Sequence, residues 1–194
     1  MGKFISIFDR LGLAQQFAPV VPHSERLRMF SALYVVRTEC RTSSIHSDWA
    51  AAVGTSALTL ITPLGECAVD ENGGFQLAYE RGGDPRSTRE GAANGVELSS
   101  YEYKPGKAIV FGADFRHSTE PGRAATTDKP HAFLCLTFGT DEMVKWPVIA
   151  HKGLRDQSRV LSRPDGTLEQ TGLGEHTADN TMSFVRQAMA QMSA

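Results

Sequence analysis

The first third of the chain alternates between helical and extended patterns of apolar residues. Near the N-terminus, apolar residues recur at three- and four-residue intervals: Phe4, Ile7, Phe8 and Leu11. This spacing predicts an amphipathic helix. Ser24 is a favoured N-cap residue, and we expect a second helix from there to about Leu33. Both helices are predicted to pack outside a sheet.

From Tyr34 onward, the apolar residues fall into short runs rich in β-branched and aromatic side chains. The expected strands are Tyr34–Thr38, Ser56–Leu64, Phe75–Tyr79, Val96–Tyr103, Lys107–Phe111 and His131–Phe138. Turn residues separate them at Asn72–Gly74, Pro105–Gly106 and Pro121–Gly122. Many short strands without intervening helices favour a sandwich or barrel over a parallel sheet.

The length of 194 residues, 41% of them hydrophobic, predicts a single domain with one principal site. We divide it into a helical segment at about 1–33, a core at about 34–139 and a C-terminal extension at about 140–194. The extension contains a turn at Arg163–Gly166 and an expected helix from about 180 to 192. The stretch 81–95 is dense in glycine and charge, which indicates a loop. Two interpretations of this loop stay open: a lid over the site and an ordinary surface loop.

Charge and cysteine content narrow the classes of partner. Lys and Arg total 20 against 22 for Asp and Glu, without a basic block, which argues against nucleic-acid or membrane binding and favours a small molecule. The three cysteines, Cys40, Cys67 and Cys135, are widely spaced, as expected for reduced thiols. The N-terminal residues are not apolar enough for a signal peptide, so we expect a cytoplasmic protein. Oligomeric state stays open.

Three residues form a candidate metal site. His46 and Asp48 are two residues apart, so on an extended chain both side chains point to the same face. His117 follows a turn and the apolar run Lys107–Phe111, and a strand formed by this run could bring His117 close to His46 and Asp48. Two histidines and one carboxylate form the facial triad typical of non-haem Fe(II), whereas structural zinc usually takes four ligands.

These motifs resemble the Fe(II)/2-oxoglutarate-dependent dioxygenase superfamily. The resemblance covers roughly residues 34–139 and includes the extended run Phe133–Phe138. It implies a jelly-roll core, that is, a double-stranded β-helix, with His46, Asp48 and His117 as both iron ligands and catalytic centre. It also implies 2-oxoglutarate as cosubstrate and O2 as oxidant. In that family a ferryl species removes a hydrogen from the substrate, here a small-molecule or amino-acid-like compound.

The cation for the far carboxylate of 2-oxoglutarate departs from the family pattern. Such enzymes commonly place Arg or Lys about ten residues after the distal histidine, where this chain has Thr127 and Asp128. The nearest cations are Arg123 and Lys129, and both are candidates for binding the cosubstrate. Two arginines on the strand leading to the triad could also serve, Arg37 and Arg41.

Two alternatives belong to other functional classes. A cupin-type metal enzyme has the same barrel without 2-oxoglutarate, but cupins usually supply more histidines and a glutamate in the first motif. A metal-free jelly-roll binding module would use His46, Asp48 and His117 only to line a ligand pocket. An iron enzyme would retain stoichiometric iron on purification and be stabilised by it, whereas such a module would do neither.

Overall fold

The computed structural model describes residues 1–66, 74–81, 98–125, 130–150 and 152–171. Several sequence predictions lie outside these residues: the greater part of the turn at 72–74, nearly all of the loop at 81–95, Lys129, Cys67 and the helix at 180–192. Within the described residues, Cys40 and Cys135 are free thiols. No helix in the same part of the chain is long and apolar enough to cross a membrane.

The described residues are mainly β, with four short helices. The helices are α1 (Gly2–Arg10), α2 (Leu13–Phe17), α3 (Trp146–Ile149) and α4 (Lys152–Gln157). The strands are β1 (Arg28–Arg37), β2 (Glu39–Cys40), β3 (Ala57–Pro63), β4 (Leu77–Glu80), β5 (Leu98–Tyr101), β6 (Ile109–Phe111), β7 (His117–Thr119), β8 (Gly122–Arg123), β9 (His131–Gly139), β10 (Val160–Ser162) and β11 (Leu168–Gln170). Single 3-10 turns lie at Ala51–Val53 and Met143–Lys145. The predicted strands therefore all have counterparts, and helix α1 confirms the N-terminal prediction.

The predicted helix from Ser24 to Leu33 is wrong, because this segment enters strand β1 at Arg28. Strand β1 pairs with β9 along nearly its whole length, with one irregularity near its start. That long ladder outweighs the modest helix propensity of the segment. The backbone N–H groups of Ser24, Glu25 and Arg26 instead donate to the carboxylate of Asp141 at 2.7, 2.7 and 3.1 Å.

Two sheets pack face to face. The larger has the order β1-β9-β3-β6 and the smaller the order β5-β4-β7, with all pairs antiparallel. Aromatic rings from both sheets meet between them: Phe111 lies 4.6 Å from His117, and Tyr103, just after β5, lies 4.5 Å from Phe133. Two short ribbons, β2-β8 and β10-β11, extend the structure. The space between the two sheets is where polar side chains can converge.

Helices α1 and α2 cover the outer face of the larger sheet, which confirms the predicted place of α1, whereas α2 was not predicted. Phe8 of α1 and Phe17 of α2 each lie 5.4 Å from the ring of Phe138. Leu60 and Leu136 point to the same outer face and are buried in this cluster. Because side chains alternate along a strand, their neighbours point inward, toward the smaller sheet.

Candidate metal centre

The three predicted ligands meet in one place. One potential ligand atom from each of His46, Asp48 and His117 lies within 4.8 Å of the other two. The Oδ1 of Asp48 is 3.7 Å from Nε2 of His46 and 3.6 Å from Nε2 of His117. Three donors at this spacing surround a volume that suits one metal ion, with the remaining coordination positions left to small ligands.

Backbone hydrogen bonds fix the two histidines relative to each other. His46 and His117 form an antiparallel bridge in which each backbone N–H donates to the other's carbonyl, at 2.9 and 2.8 Å. His117 begins strand β7, whereas His46 lies in a segment without a named strand. The predicted extended geometry around His46 therefore exists as a single bridge rather than a strand.

The hydrogen bonds of the two imidazoles leave the correct nitrogen available for a metal. Nδ1 of His46 lies 2.8 Å from the carbonyl oxygen of Ser44, and Nδ1 of His117 lies 3.2 Å from that of Phe115. Because a carbonyl only accepts, each Nδ1 must carry the hydrogen. The lone pair is then on Nε2, the atom that faces Asp48. Metal-bound histidines in proteins usually donate their other ring N–H to a carbonyl or carboxylate in the same way.

Burial differs strongly across the triad. The side chain of His46 is 55% exposed, that of Asp48 22% and that of His117 6%. Burial lowers the pKa of His117, while the charge of Asp48 and the bond to Phe115 act in the opposite direction. The ring of Phe115 stacks 5.5 Å from the ring of His117 and contributes to its apolar surroundings. A neutral imidazole is the form that binds metal, so the environment favours a ligand at His117.

A second polar group lies deeper between the sheets. Strand β1 places Arg37 directly opposite His131 of β9, and Arg37 donates to the hydroxyl of Thr119 at 2.8 Å. Sequence reasoning named Arg37 as one option and missed Thr119 and His131 as site residues. The inward alternation of His131 with Phe133 was a usable signal, but the pairing with Arg37 depends on register.

The other sequence-predicted cations lie elsewhere or outside the described residues. Arg123 on β8 is 67% exposed and its Nη2 is 2.8 Å from Glu39 Oε1. Arg41 is 82% exposed, and its Nε is 3.0 Å from Oε2 of Glu39. The guanidinium groups of Arg123 and Arg41 together lower the pKa of this carboxylate. Lys129 lies outside the described residues. Binding of the cosubstrate by Arg123 or Lys129 therefore stays a prediction.

Two aromatic residues, Trp49 next to Asp48 in sequence and Tyr103 after β5, have structural surroundings. Trp49 is buried, and its indole N–H donates to the hydroxyl of Thr59 at 3.1 Å. Tyr103 packs on Phe133 and lies 6.1 Å from the ring of His131. Burial raises the pKa of the Tyr103 phenol, so this hydroxyl stays neutral.

Several solved structures resemble part of this chain, and two of them are non-heme enzymes. No protein-family model and no curated protein matches the chain. SnoN, a non-heme alpha ketoglutarate dependent epimerase from nogalamycin biosynthesis, is 19% identical with a TM-score of 0.46, over 67% of this chain and 54% of SnoN. A non-heme monooxygenase, in a ThoJ–Ni complex, is 15% identical with a TM-score of 0.43, over 86% of this chain and 63% of that one. The aligned parts span less than two thirds of both proteins, and neither alignment carries information on the reaction of this chain.

Proposed function

We propose that this protein is a non-haem Fe(II)- and 2-oxoglutarate-dependent oxygenase that oxidises a small-molecule or amino-acid-like substrate with O2. His46, Asp48 and His117 would hold the iron. The observation that carries the proposal is the orientation of the two imidazoles, whose Nδ1 atoms bond backbone carbonyls while both Nε2 atoms face Asp48. A pair of histidines that merely lined a pocket would not need this shared orientation.

The number and type of donors favour iron over structural zinc. Two imidazoles and one carboxylate form the facial set that leaves positions open for a bidentate cosubstrate and O2. Structural zinc sites are closed by four ligands, commonly thiolates. Among the described residues, the cluster of potential metal ligands contains no cysteine. The donor set therefore fits an open catalytic metal better than a closed structural one.

We also propose that the two facing sheets form a double-stranded β-helix. The order β1-β9-β3-β6 in one sheet and β5-β4-β7 in the other makes many spatial neighbours non-consecutive in sequence, as in jelly rolls. His46 bridges to the free edge of β7 and so continues the smaller sheet beyond its named strands. This position at a sheet edge supports a metal site at the open end of such a barrel.

The protein's own residues would bind the metal, orient its ligands and exclude water. Bound Fe(II) with a 2-oxo acid would activate O2, the oxidant, for hydroxylation or a related reaction. Asp48 brings negative charge to the cation, and the bridge between His46 and His117 keeps the imidazoles in place. Phe111 and Phe115 shield the buried side next to His117, while the exposed ring of His46 lies toward solvent, where a substrate can approach.

The test is an anaerobic titration of the apoprotein with Fe(II) and then 2-oxoglutarate, followed by the visible charge-transfer band of the chelate. We expect the band in the wild type and in His23→Ala, which removes a histidine bonded to the Val21 carbonyl. We expect its loss in His117→Ala. Bound iron without a band would indicate a cupin-type enzyme. Absence of bound iron in the wild type would refute the proposal and leave a binding module.

A further inference from the structure

Strands β1 and β9 place a cation and an imidazole side by side between the two sheets. Arg37 and His131 are directly opposed in this antiparallel pair, so both side chains project from the same face. His131 is 2% exposed and lies 5.3 Å from Phe75 and 4.1 Å from Phe133, ring to ring. That face is therefore the interior one, and Arg37 shares it.

The imidazole of His131 has unmet hydrogen-bonding capacity. Both ring nitrogens are buried, and neither has a hydrogen-bond partner among the described residues. Buried polar groups are nearly always satisfied in native proteins, and an unsatisfied one requires an explanation. A ligand that accepts the ring N–H would provide the missing partner. The orphaned nitrogens thus point to a small polar molecule beside Arg37.

Thr119 connects this pair to the metal centre. Its hydroxyl accepts a hydrogen bond from Nη1 of Arg37 at 2.8 Å. Thr119 lies two residues after His117 on strand β7, so the two side chains share a face about 7 Å apart along the strand. That separation is on the scale of a five-carbon diacid with one end at the metal.

We propose that Arg37 and His131 bind the far carboxylate of a 2-oxo dicarboxylic acid whose 2-oxo end chelates the metal at His46, Asp48 and His117. The inference rests on the proposed function and assigns the part of it that the family pattern leaves open. Arg37 donates its planar fork to the carboxylate, and the neutral ring of His131 donates one N–H. Thr119 is a positioning residue that holds the guanidinium.

The charge of the pocket matches a single carboxylate. Burial and the positive charge of Arg37 lower the pKa of His131 to about 4, so its ring is neutral at neutral pH. Arg37 then contributes one positive charge, which a carboxylate neutralises. Arg123 and Arg41, by contrast, already share the carboxylate of Glu39 at an exposed ribbon, where a cosubstrate would have to compete with it.

The experiment compares two ligands that differ only in the far carboxylate. The dissociation constants of 2-oxoglutarate and 2-oxobutyrate are measured anaerobically on the Fe(II) protein from the charge-transfer band, and on the Ni(II) protein by calorimetry. We expect the wild type to prefer 2-oxoglutarate by on the order of 100-fold. Arg37→Gln should abolish this preference and leave 2-oxobutyrate binding unchanged. His131→Phe should weaken 2-oxoglutarate roughly threefold to tenfold.

Matched variants separate this pocket from its rivals. Arg155→Gln removes an arginine whose side chain is 48% exposed and ion-paired with Glu169 at 2.8 Å, and it should leave both dissociation constants unchanged. A preference that survives in Arg37→Gln and is lost in Arg123→Gln or Lys129→Gln would overturn the assignment. If Arg37→Gln does not fold, Arg37→Lys retains the charge without the fork. It should weaken 2-oxoglutarate roughly tenfold, and unchanged binding would overturn the proposal.

Failure of the proposed function has a different signature. If the wild type binds neither Fe(II) nor Ni(II), or binds the metal but neither 2-oxo acid, the oxygenase proposal and this inference both fall. If it binds metal and both 2-oxo acids equally, the triad stands and the carboxylate pocket is refuted. Metal binding together with binding of 2-oxobutyrate, which needs only the metal, therefore distinguishes the two cases.

Discussion

The buried imidazole of His131 should make the protein sensitive to acid in a way that one substitution can remove. Its pKa is lowered from an ordinary value of 6.5 to about 4, first by burial and then by the charge of Arg37. Between these two values the unfolded chain binds a proton at this position and the folded chain does not. Stability therefore falls as the pH decreases through this window, and at higher pH this loss disappears.

The two pKa values set the size of the effect. Linkage gives a loss of about 2 kcal/mol of unfolding free energy from this residue between about pH 7 and about pH 5. Further loss follows down to about pH 4, where the folded form also begins to bind the proton. A loss of this size is a large fraction of the stability of an ordinary domain.

Urea denaturation of the apoprotein at several pH values measures the effect. Other groups also titrate in this range, so the relevant quantity is the difference in pH dependence between wild type and His131→Phe. We expect this difference to reach about 2 kcal/mol near pH 5. Leu168→Ala, an exposed substitution that removes no titratable group, is the control and should retain the wild-type dependence. Parallel curves for wild type and His131→Phe would refute the reasoning.

Three further substitutions test the packing that supports the site, each by urea denaturation at neutral pH. Leu136→Ala removes a fully buried side chain beneath α1 and α2 and should cost about 3 kcal/mol. Gly139→Ala would place a Cβ 2.1 Å from the carbonyl oxygen of Ser56, so β9 and β3 must separate, at a cost above about 2 kcal/mol. Trp49→Phe leaves the buried hydroxyl of Thr59 without its indole donor and should cost about 1 to 2 kcal/mol.

Exposed positions provide the controls for these substitutions. Leu168→Ala shortens a leucine that is 59% exposed, and Gly2→Ala adds a Cβ that meets no atom within 4 Å. Each should change the unfolding free energy by less than about 0.5 kcal/mol. Buried and exposed variants that lose equal stability would contradict the burial described for β9.

Sequence patterning predicted the strands that are apolar runs bounded by turn residues, and it missed the short strands β2, β7, β8, β10 and β11. Strand β3 occupies Ala57–Pro63 within the predicted 56–64, and β9 ends one residue beyond the prediction. The helix expected after Ser24 was wrong because the pairing of β1 with β9, more than 90 residues away in sequence, decides the conformation there. Local propensity carries no information on such a distant partner.

The candidate site likewise has one part that local sequence predicts and another that depends on the pairing of distant strands. The two-residue spacing of His46 and Asp48 and the position of His117 after a turn and strand sufficed to name the cluster that the structure brings together. The juxtaposition of Arg37 and His131 could not be read from the sequence, because it depends on strand register. A shift of one residue would turn either side chain to the other face.

The paired backbone bonds between His46 and His117 have a practical consequence for spectroscopy. The sheet, rather than an ion, sets the spacing of the imidazoles, so removing a metal with a chelator should not unravel the surrounding chain, unlike a zinc finger. Cobalt, copper or manganese could then be exchanged into a folded apoprotein. Each would report on the same donor set through its own optical or magnetic signal.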